Sequence, residues 1–260
     1  MKNVLLVTGA STGIGKELAL IHAEKGGDLI VVARDKEKLE ELKKNIENKY
    51  NVSVLVITKD LSLPKAGKEI YLEVKAAGIE IDYLINNAGF GGIGKFYERE
   101  WEKDLAMINL NIIALTELTR MFLSDFVKRN KGRIMNTSST ASLIPGPLQA
   151  VYFATKAYVT SFSNALAEEL HDTDITVTAL LPGATKTEFG RISGMDKTKM
   201  FQKTASARSV AQAGYDAMMK GKLNVMAGVT ISQKILFPLI PFLPKKLLLK
   251  LIRIMQEVKS

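Results

Sequence analysis

Tyr152 and Lys156 stand four residues apart, a spacing that puts two side chains on one face of a helix, about one turn from each other. A protonated lysine beside a phenol favours the phenolate and lowers its pKa from about 10 toward working pH. Such a pair is a general acid/base for moving a proton to or from an oxygen. Spacing alone is weak ground, because Tyr71 and Lys75 share it. The surrounding residues must separate the two pairs.

A run Thr8-Gly9-Ala10-Ser11-Thr12-Gly13-Ile14-Gly15 follows a short apolar stretch and leads into a helical pattern. Glycines permit the tight turn and let backbone N–H groups approach a pyrophosphate at a helix N-terminus. A literal G-x-G-x-x-G also occurs at Gly89-Phe90-Gly91-Gly92-Ile93-Gly94. No second strand with a ribose-binding acid follows it, so it reads as a loop near the cofactor and not as the main cradle. Asp35 lies 20 residues after Gly15, where a ribose 2′-OH partner and NAD(H) would be expected. A strand ending at Ala33 instead makes Asp35 the N-cap of the next helix. Arg34 is then free to meet a 2′-phosphate, which favours NADP(H) over NAD(H).

The elements that must position these residues alternate. Strand patterns at Val4–Val7, Leu29–Val32, Val52–Ile57, Tyr83–Ile85, Arg133–Asn136, Ile175–Leu180 and Leu223–Met226 are interleaved with helical patterns near Ile14–Lys25, Lys36–Asn48, Lys65–Ala77, Trp101–Lys128, Val151–Leu170 and Ser209–Met219. Such alternation predicts a single-domain α/β, doubly wound Rossmann fold: a parallel sheet of about seven strands with helices on both faces. The continuously apolar strands suit a sheet covered on both sides. The first ten residues read as a strand and are too short for a signal-peptide core. No run of 18 apolar residues predicts a spanning helix.

With 260 residues, 47% hydrophobic and 24% charged, the composition is that of a soluble globular, cytoplasmic protein. The absence of cysteine excludes disulfides, thiolate catalysis and thiolate metal sites. Two histidines, His22 and His171, leave little for a metal, and each reads as capping or lining a helix surface.

Taken together, these residues resemble the short-chain dehydrogenase/reductase family over residues 4–226. The matching pieces are the Thr8–Gly15 loop, Asp60-Leu61, Asn86-Asn87-Ala88-Gly89, Asn111, Ser139, Tyr152-x-x-x-Lys156 and Pro182-Gly183. The local texture is similar to the branch with 3-ketoacyl and hydroxysteroid reductases. The resemblance implies Tyr152 as general acid/base and Lys156 holding the nicotinamide ribose while depressing the phenol. It implies Ser139 on the substrate carbonyl, with Ser138 as the rejected neighbour, and Asn111 in a proton relay through water, with Asn109 rejected. Asn111 is the better match because it fits a helix register with Leu115 and Leu118. For the cofactor it implies Gly9, Ser11, Thr12, Gly13, Ile14 and Gly15 around the phosphates, Asp60 and Leu61 at the adenine, and Asn87, Ala88 and Gly89 along the dinucleotide. Pro182, Gly183, the Thr185 backbone and the Thr187 hydroxyl would meet the carboxamide. It also implies a homodimer or homotetramer and a small ketone or alcohol substrate. Tyr71–Lys75 falls on a helix covering the sheet's outer face, as a solvated side with a half-buried ring.

Residues 184–207 correspond to the family's substrate lid, with Phe189, Ile192, Met195, Met200 and Phe201 either shielding a lipophilic substrate or packing on the body. Residues 229–260 form an extension. Of the net charge of +9, residues 220–260 carry eight positive side chains, Lys259 among them, and one negative. Lys245–Glu257 reads as an amphipathic helix, Lys246, Lys250, Arg253 and Glu257 on one face, Leu247, Leu248, Leu251, Ile254 and Met255 on the other. Such a helix suits an anionic membrane surface, and equally a neighbouring subunit or the pocket. The rival reading is a non-catalytic dinucleotide-binding scaffold docking through this tail. No nucleic-acid recognition motif accompanies the charge.

Overall fold

A computed structural model describes residues 1–198 and 201–257. Met200 of the lid and Lys259 of the tail lie outside the described residues. The strands are β1 (Leu5–Thr8), β2 (Leu29–Ala33), β3 (Val54–Thr58), β4 (Tyr83–Asn86), β5 (Gly132–Thr137), β6 (Ile175–Pro182) and β9 (Asn224–Ala227), hydrogen-bonded in the order β3-β2-β1-β4-β5-β6-β9. Every pairing is parallel. The strand order reverses between β1 and β4, which opens a crevice at their carboxyl ends.

Alternate residues of each strand feed two cores, as a period of two requires. Leu5, Val7, Leu29 and Val31 pack with α1 (Gly13–Glu24), α2 (Lys36–Tyr50) and α8 (Ala207–Met219). Leu6, Ile30, Val32 and Ile134 pack with α3 (Ala66–Ala76) and α5 (Leu115–Lys128), and with Leu166 of α6 (Ala150–Glu169). Burial on both faces explains the unbroken apolar strands. Helix α2 starts as expected, with the Asp35 carboxylate accepting from Lys38 N at 3.1 Å.

Trp101–Lys128 departs from a single regular helix. It divides into α4 (Trp101–Ile108), a π-helical turn Asn109–Ala114, and α5. Among the described residues it is the run long and apolar enough to cross a bilayer by length and composition, but its Leu118, Phe122 and Phe126 are buried in the core. The π-turn also overturns the simple register argument for Asn111. His22 is not a surface residue either. Its ring is buried between Tyr215 Oη, 2.9 Å from Nδ1, and the Asn3 carbonyl, 2.6 Å from Nε2. Since a carbonyl only accepts, Nε2 carries the proton and Nδ1 accepts from Tyr215.

Beyond β9 come α9 (Ile231–Leu236), a 3-10 turn Phe237–Phe242, and α10 (Lys245–Gln256). Helix α10 has three stripes where two were expected. Ile252 and Gln256 are buried and Leu248 is half-buried, so Leu248 belongs to the body-facing side. Leu247, Leu251, Ile254 and Met255 are exposed, and at 100° per residue they lie beside Lys246, Lys250 and Arg253.

A buried polar chain crosses the second core. Asn86 Nδ2 donates to Thr119 Oγ1 and to Asn136 Oδ1, both at 2.9 Å, and Asn136 Nδ2 donates to Ser163 Oγ at 2.9 Å. It ties α5, β4, β5 and α6 together. Removing the central amide leaves a buried Asn86 N–H without its acceptor and Ser163 Oγ without its donor, so Asn136→Ala should cost about 1–3 kcal/mol. A urea-unfolding midpoint unchanged from the wild type would contradict this.

Candidate active site

The crevice holds the glycine loop. Gly9 and Gly13 have φ of +68° and +56°, which side chains rarely adopt. A Cβ on Gly15 would sit 2.2 Å from the Gly9 carbonyl oxygen and 2.5 Å from Asn87 Nδ2. One on Gly9 would lie 2.9 Å from Ala88 Cα. The β1 and β4 loops therefore touch backbone to backbone. Thr8 Oγ1 accepts from Asn87 N and Ala88 N at 3.0 Å each, and Asn87 Nδ2 donates to Thr8 O at 3.1 Å. Thr12 begins α1 without a side-chain cap, and the first turn has no acid. The free N–H groups of Gly13, Ile14 and Gly15 at that turn form a cradle for an anion.

Beside the loop, Arg34 is largely exposed and its Nη1 lies 3.7 Å from Asp60 Oδ2. Burial of Asp60 is outweighed by hydrogen bonds from the Ser62 hydroxyl and amide and by Arg34, holding its carboxyl below the usual range. Leu61 is buried next to it. Ser11 and Ile14 are half-buried at the rim.

Tyr152, Lys156, Ser139 and Asn111 converge across the crevice. Lys156 Nζ donates to the Thr137 carbonyl at the end of β5 at 2.8 Å and lies 6.0 Å from the Tyr152 ring centre. Both side chains are buried. Burial brings Lys156 down to about 8, so the cation still predominates at neutral pH. Burial also pushes the Tyr152 phenol up to about 12, and Ser139 pulls it only part of the way back. The expected lysine-depressed phenol is thus corrected. Desolvation opposes the phenolate, and the ammonium is spent on a carbonyl instead of on the hydroxyl.

The rejected neighbour Ser138 turns away, donating to the Lys156 carbonyl at 2.8 Å beside Thr160 Oγ1 at 2.7 Å. Ser139 caps the turn after β5, its oxygen accepting from Ala141 N at 3.1 Å. Asn111 is buried in the π-turn. Its Oδ1 accepts from Phe90 N at 3.2 Å, and its Nδ2 donates to Phe90 O at 3.0 Å and Thr155 Oγ1 at 3.1 Å. Its carboxamide therefore pins the glycine-rich loop, and any relay through water must use another of its atoms. A Cβ on Gly89 would lie 3.0 Å from Asn111 Oδ1 and 3.3 Å from Lys156 Nζ, so this loop is part of the site wall.

The segment after β6 covers both halves. A Cβ on Gly183 would meet the Gly228 carbonyl at 2.6 Å, which fixes the bend after Pro182. Thr185 lies in a short strand β7 (Thr185–Lys186) paired with β8 (Ala205–Ser206). Thr187 caps α7 (Glu188–Ser193) by accepting from Phe189 N at 3.3 Å, and its methyl carbon would be 2.9 Å from a Cβ on Gly13. Phe189 lies on Tyr152, ring centres 5.6 Å apart. Met195 and Phe201 join the same apolar cluster while Ile192 is exposed. Phe189, Met195 and Phe201 of the lid therefore pack on the body.

Tyr71–Lys75 is the contrasting case. Tyr71 Oη donates to Asp125 Oδ2 at 3.2 Å, and Lys75 pairs with the same oxygen at 3.3 Å. Burial and the Asp125 charge both raise that phenol, on an outer helix remote from the glycine loop. Sequence reasoning named Thr8 as the start of the glycine loop but missed its hydroxyl's role, and it missed Thr137, Thr155, Gln149 and the Arg99–Asp104 pair. Of those missed residues, only Thr155, inside the Tyr–Lys motif, carried a local signal.

The fit to a dinucleotide is supported by this cradle, whose backbone path requires glycine at Gly9, Gly13 and Gly15, where a Cβ would collide with Ala88, Thr187 and the Gly9 carbonyl. A family model described as short chain dehydrogenase matches residues 3–198. A very-long-chain 3-oxoacyl-CoA reductase of Rattus norvegicus is 37% identical over 194 residues, 72% of this chain and 61% of that protein's length. The chain thus spans about three fifths of that relative. An NADP-dependent 3-hydroxy acid dehydrogenase of Schizosaccharomyces pombe is 33% identical over 238 residues, 90% of this chain and 92% of the relative. A solved short-chain dehydrogenase from Sphingobium yanoikuyae in complex with NADPH is 28% identical with a TM-score of 0.83, covering 99% of this chain and 98% of that one.

Proposed function

The chain belongs to the short-chain dehydrogenase family, and we propose that it is an NADP(H)-dependent oxidoreductase interconverting a carbonyl and a secondary alcohol on a lipophilic substrate. The observation that carries this reading is the convergence of Tyr152, Ser139 and buried Lys156 beside a glycine loop shaped for a pyrophosphate. Gly9, Ser11, Thr12, Gly13, Ile14 and Gly15 would hold the phosphates, Arg34 the 2′-phosphate, and Asp60 and Leu61 the adenine. Asn87, Ala88 and Gly89 would lie along the dinucleotide, with Pro182, Gly183, Thr185 and Thr187 at the carboxamide. Bound there, NADP(H) supplies or accepts the hydride.

The chain's own groups manage the oxygen. Ser139 hydrogen-bonds the carbonyl, and Tyr152 gives it a proton as negative charge develops. An alkoxide is far more basic than a phenolate, so a phenol held near 12 still transfers its proton downhill. Lys156, cationic at neutral pH, stabilises the phenolate left behind. Asn111 positions the loop that carries Gly89. Phe189 covers Tyr152, so α7 must lift to admit substrate and close to exclude water. The scaffold alternative has no observation in its favour.

Two further features accompany this reading. Leu105, Ile113 and Val127 are exposed on the helices flanking the sheet, a surface that suits a homodimer or homotetramer. The tail presents Ile235, Leu236, Leu239, Phe242, Leu247 and Leu251 to solvent among Lys234, Lys245, Lys246 and Lys250. Apolar side chains ringed by lysines suit an anionic membrane surface, and the net positive charge disfavours self-pairing.

Incubated with NADPH and a panel of lipophilic ketones, the protein should consume cofactor, and NADH should serve less well. Tyr152→Phe should lower kcat by about 100-fold or more, and full turnover by that variant would refute the mechanism. Because Lys156 is charged below about 8 and neutral above it, reductive kcat/KM should be level near neutrality and fall as pH rises through that value. A profile rising from pH 7 to 9 would contradict the assignment. In flotation, the full chain should rise with phosphatidylserine vesicles and release with added salt, and Leu247→Glu with Leu251→Glu should remain in solution. Equal flotation by the variant would remove the membrane reading.

A further inference from the structure

A small cavity opens beside Tyr152, walled by Arg99, Asp104, Met107 and Gln149. Gln149 is the residue before α6, three before Tyr152, and is only 2% exposed. Among the described residues, neither its Nε2 nor its Oε1 has a hydrogen-bond partner. An amide buried in this way is costly unless something brings it a partner. A purely structural glutamine at a helix start would cap a backbone N–H, and this one caps none.

The opposite wall indicates the charge of that partner. Arg99 donates through Nε and Nη2 to Asp104 Oδ1 at 2.8 and 2.7 Å, and through Nη1 to the Ile93 carbonyl at 3.0 Å. The cation of the cavity wall is therefore already matched by a buried carboxylate. A substrate carboxylate would enter as an unpaired buried charge, whereas a neutral carbonyl needs only one donor.

We infer that Gln149 is a specificity residue that donates through Nε2 to a second, neutral carbonyl of the substrate, two carbons from the reacting one, as in a 3-oxo ester or thioester. This rests on the reductase reading above and narrows it. The reacting oxygen lies at Ser139 and Tyr152. A carbonyl two carbons away falls about one helical turn along the wall, where Gln149 stands. Oε1 is left for water at the open side of the cavity. The net-neutral wall, its one cation already paired, separates such esters from free 3-oxo acids.

The test compares ethyl 3-oxohexanoate, the 3-oxohexanoate anion and 3-hexanone, each with NADPH, in the wild type, Gln149→Met and Gln149→Asn. The wild type should prefer the ester to the anion. Gln149→Met should lower kcat/KM for the ester by about ten- to a hundredfold and for 3-hexanone by less than about threefold. Gln149→Asn, which keeps the amide but withdraws it, should show the same split in milder form, and it decides the matter if the Met variant does not fold. Equal losses on ester and 3-hexanone, or none on either, would make Gln149 a structural residue with a water partner and overturn the inference. So would a wild-type preference for the anion. Turnover of 3-hexanone by the wild type reports on the reductase reading alone. If none of the three substrates is reduced, that reading fails and this inference falls with it.

Discussion

A single buried ammonium sets the terms for this site. Lys156 is on a helix, and its charge is taken up by the Thr137 carbonyl at the last residue of β5. Burying a cation is expensive, and here the compensation comes from a strand end whose carbonyl would otherwise face the crevice. The bond fixes α6 to the sheet at one level, and Ser138 secures the same helix by donating to the Lys156 carbonyl. Tyr152, one turn earlier, is thereby aimed at the point where Ser139 leaves the strand. The polar chain through Asn86, Asn136 and Ser163 holds β4 and β5 against α6 from below.

The crevice depends on a second constraint, the contact of the β1 and β4 loops. No side chain fits between Gly15, the Gly9 carbonyl and Asn87. Thr8 supplies the link, one hydroxyl accepting from two successive amides. Because those amides precede Gly89, and Gly89 lies against Asn111 and Lys156, the phosphate loop and the acid/base pair share one rigid backbone path. In the reaction we propose, preorganisation of this kind would bring a proton donor to the oxygen and a hydride donor to the carbon of one carbonyl without searching.

Most of this framework was legible in the sequence. Unbroken apolar runs announced a sheet covered on both faces, and Asp35 announced its helix. Tyr152 could be told from Tyr71 by its companions, and the structure adds that Tyr71 is engaged by Asp125. What could not be read depended on three-dimensional burial. The phenol shifts upward because desolvation is a property of the packed site, invisible in a four-residue spacing. The π-turn at Asn109–Ala114 carries Asn111 to Phe90 and Thr155, two partners distant in sequence that no local spacing indicates. Helix α10 looked two-sided because periodicity cannot say which apolar residues find the body. Nothing in the sequence marks Gln149, because the burial of its amide depends on the fold around it.

The lid joins these parts. Within three residues, Thr187 touches Gly13 of the phosphate loop, Glu188 pairs with Lys38 of α2 at 3.5 Å, and Phe189 covers the Tyr152 ring. Exposed pairs such as Glu188–Lys38 contribute little by themselves, so the apolar contact of Phe189 supplies most of the closure. That makes the closed state sensitive to whatever lies over Tyr152. A polar substrate would replace an aromatic contact with a poorer one, whereas an apolar chain would restore it. The same packing that hides the phenol therefore accords with the lipophilic substrate we propose. On that reading, polar discrimination falls to the few groups left in the wall, Ser139 and the buried amide of Gln149.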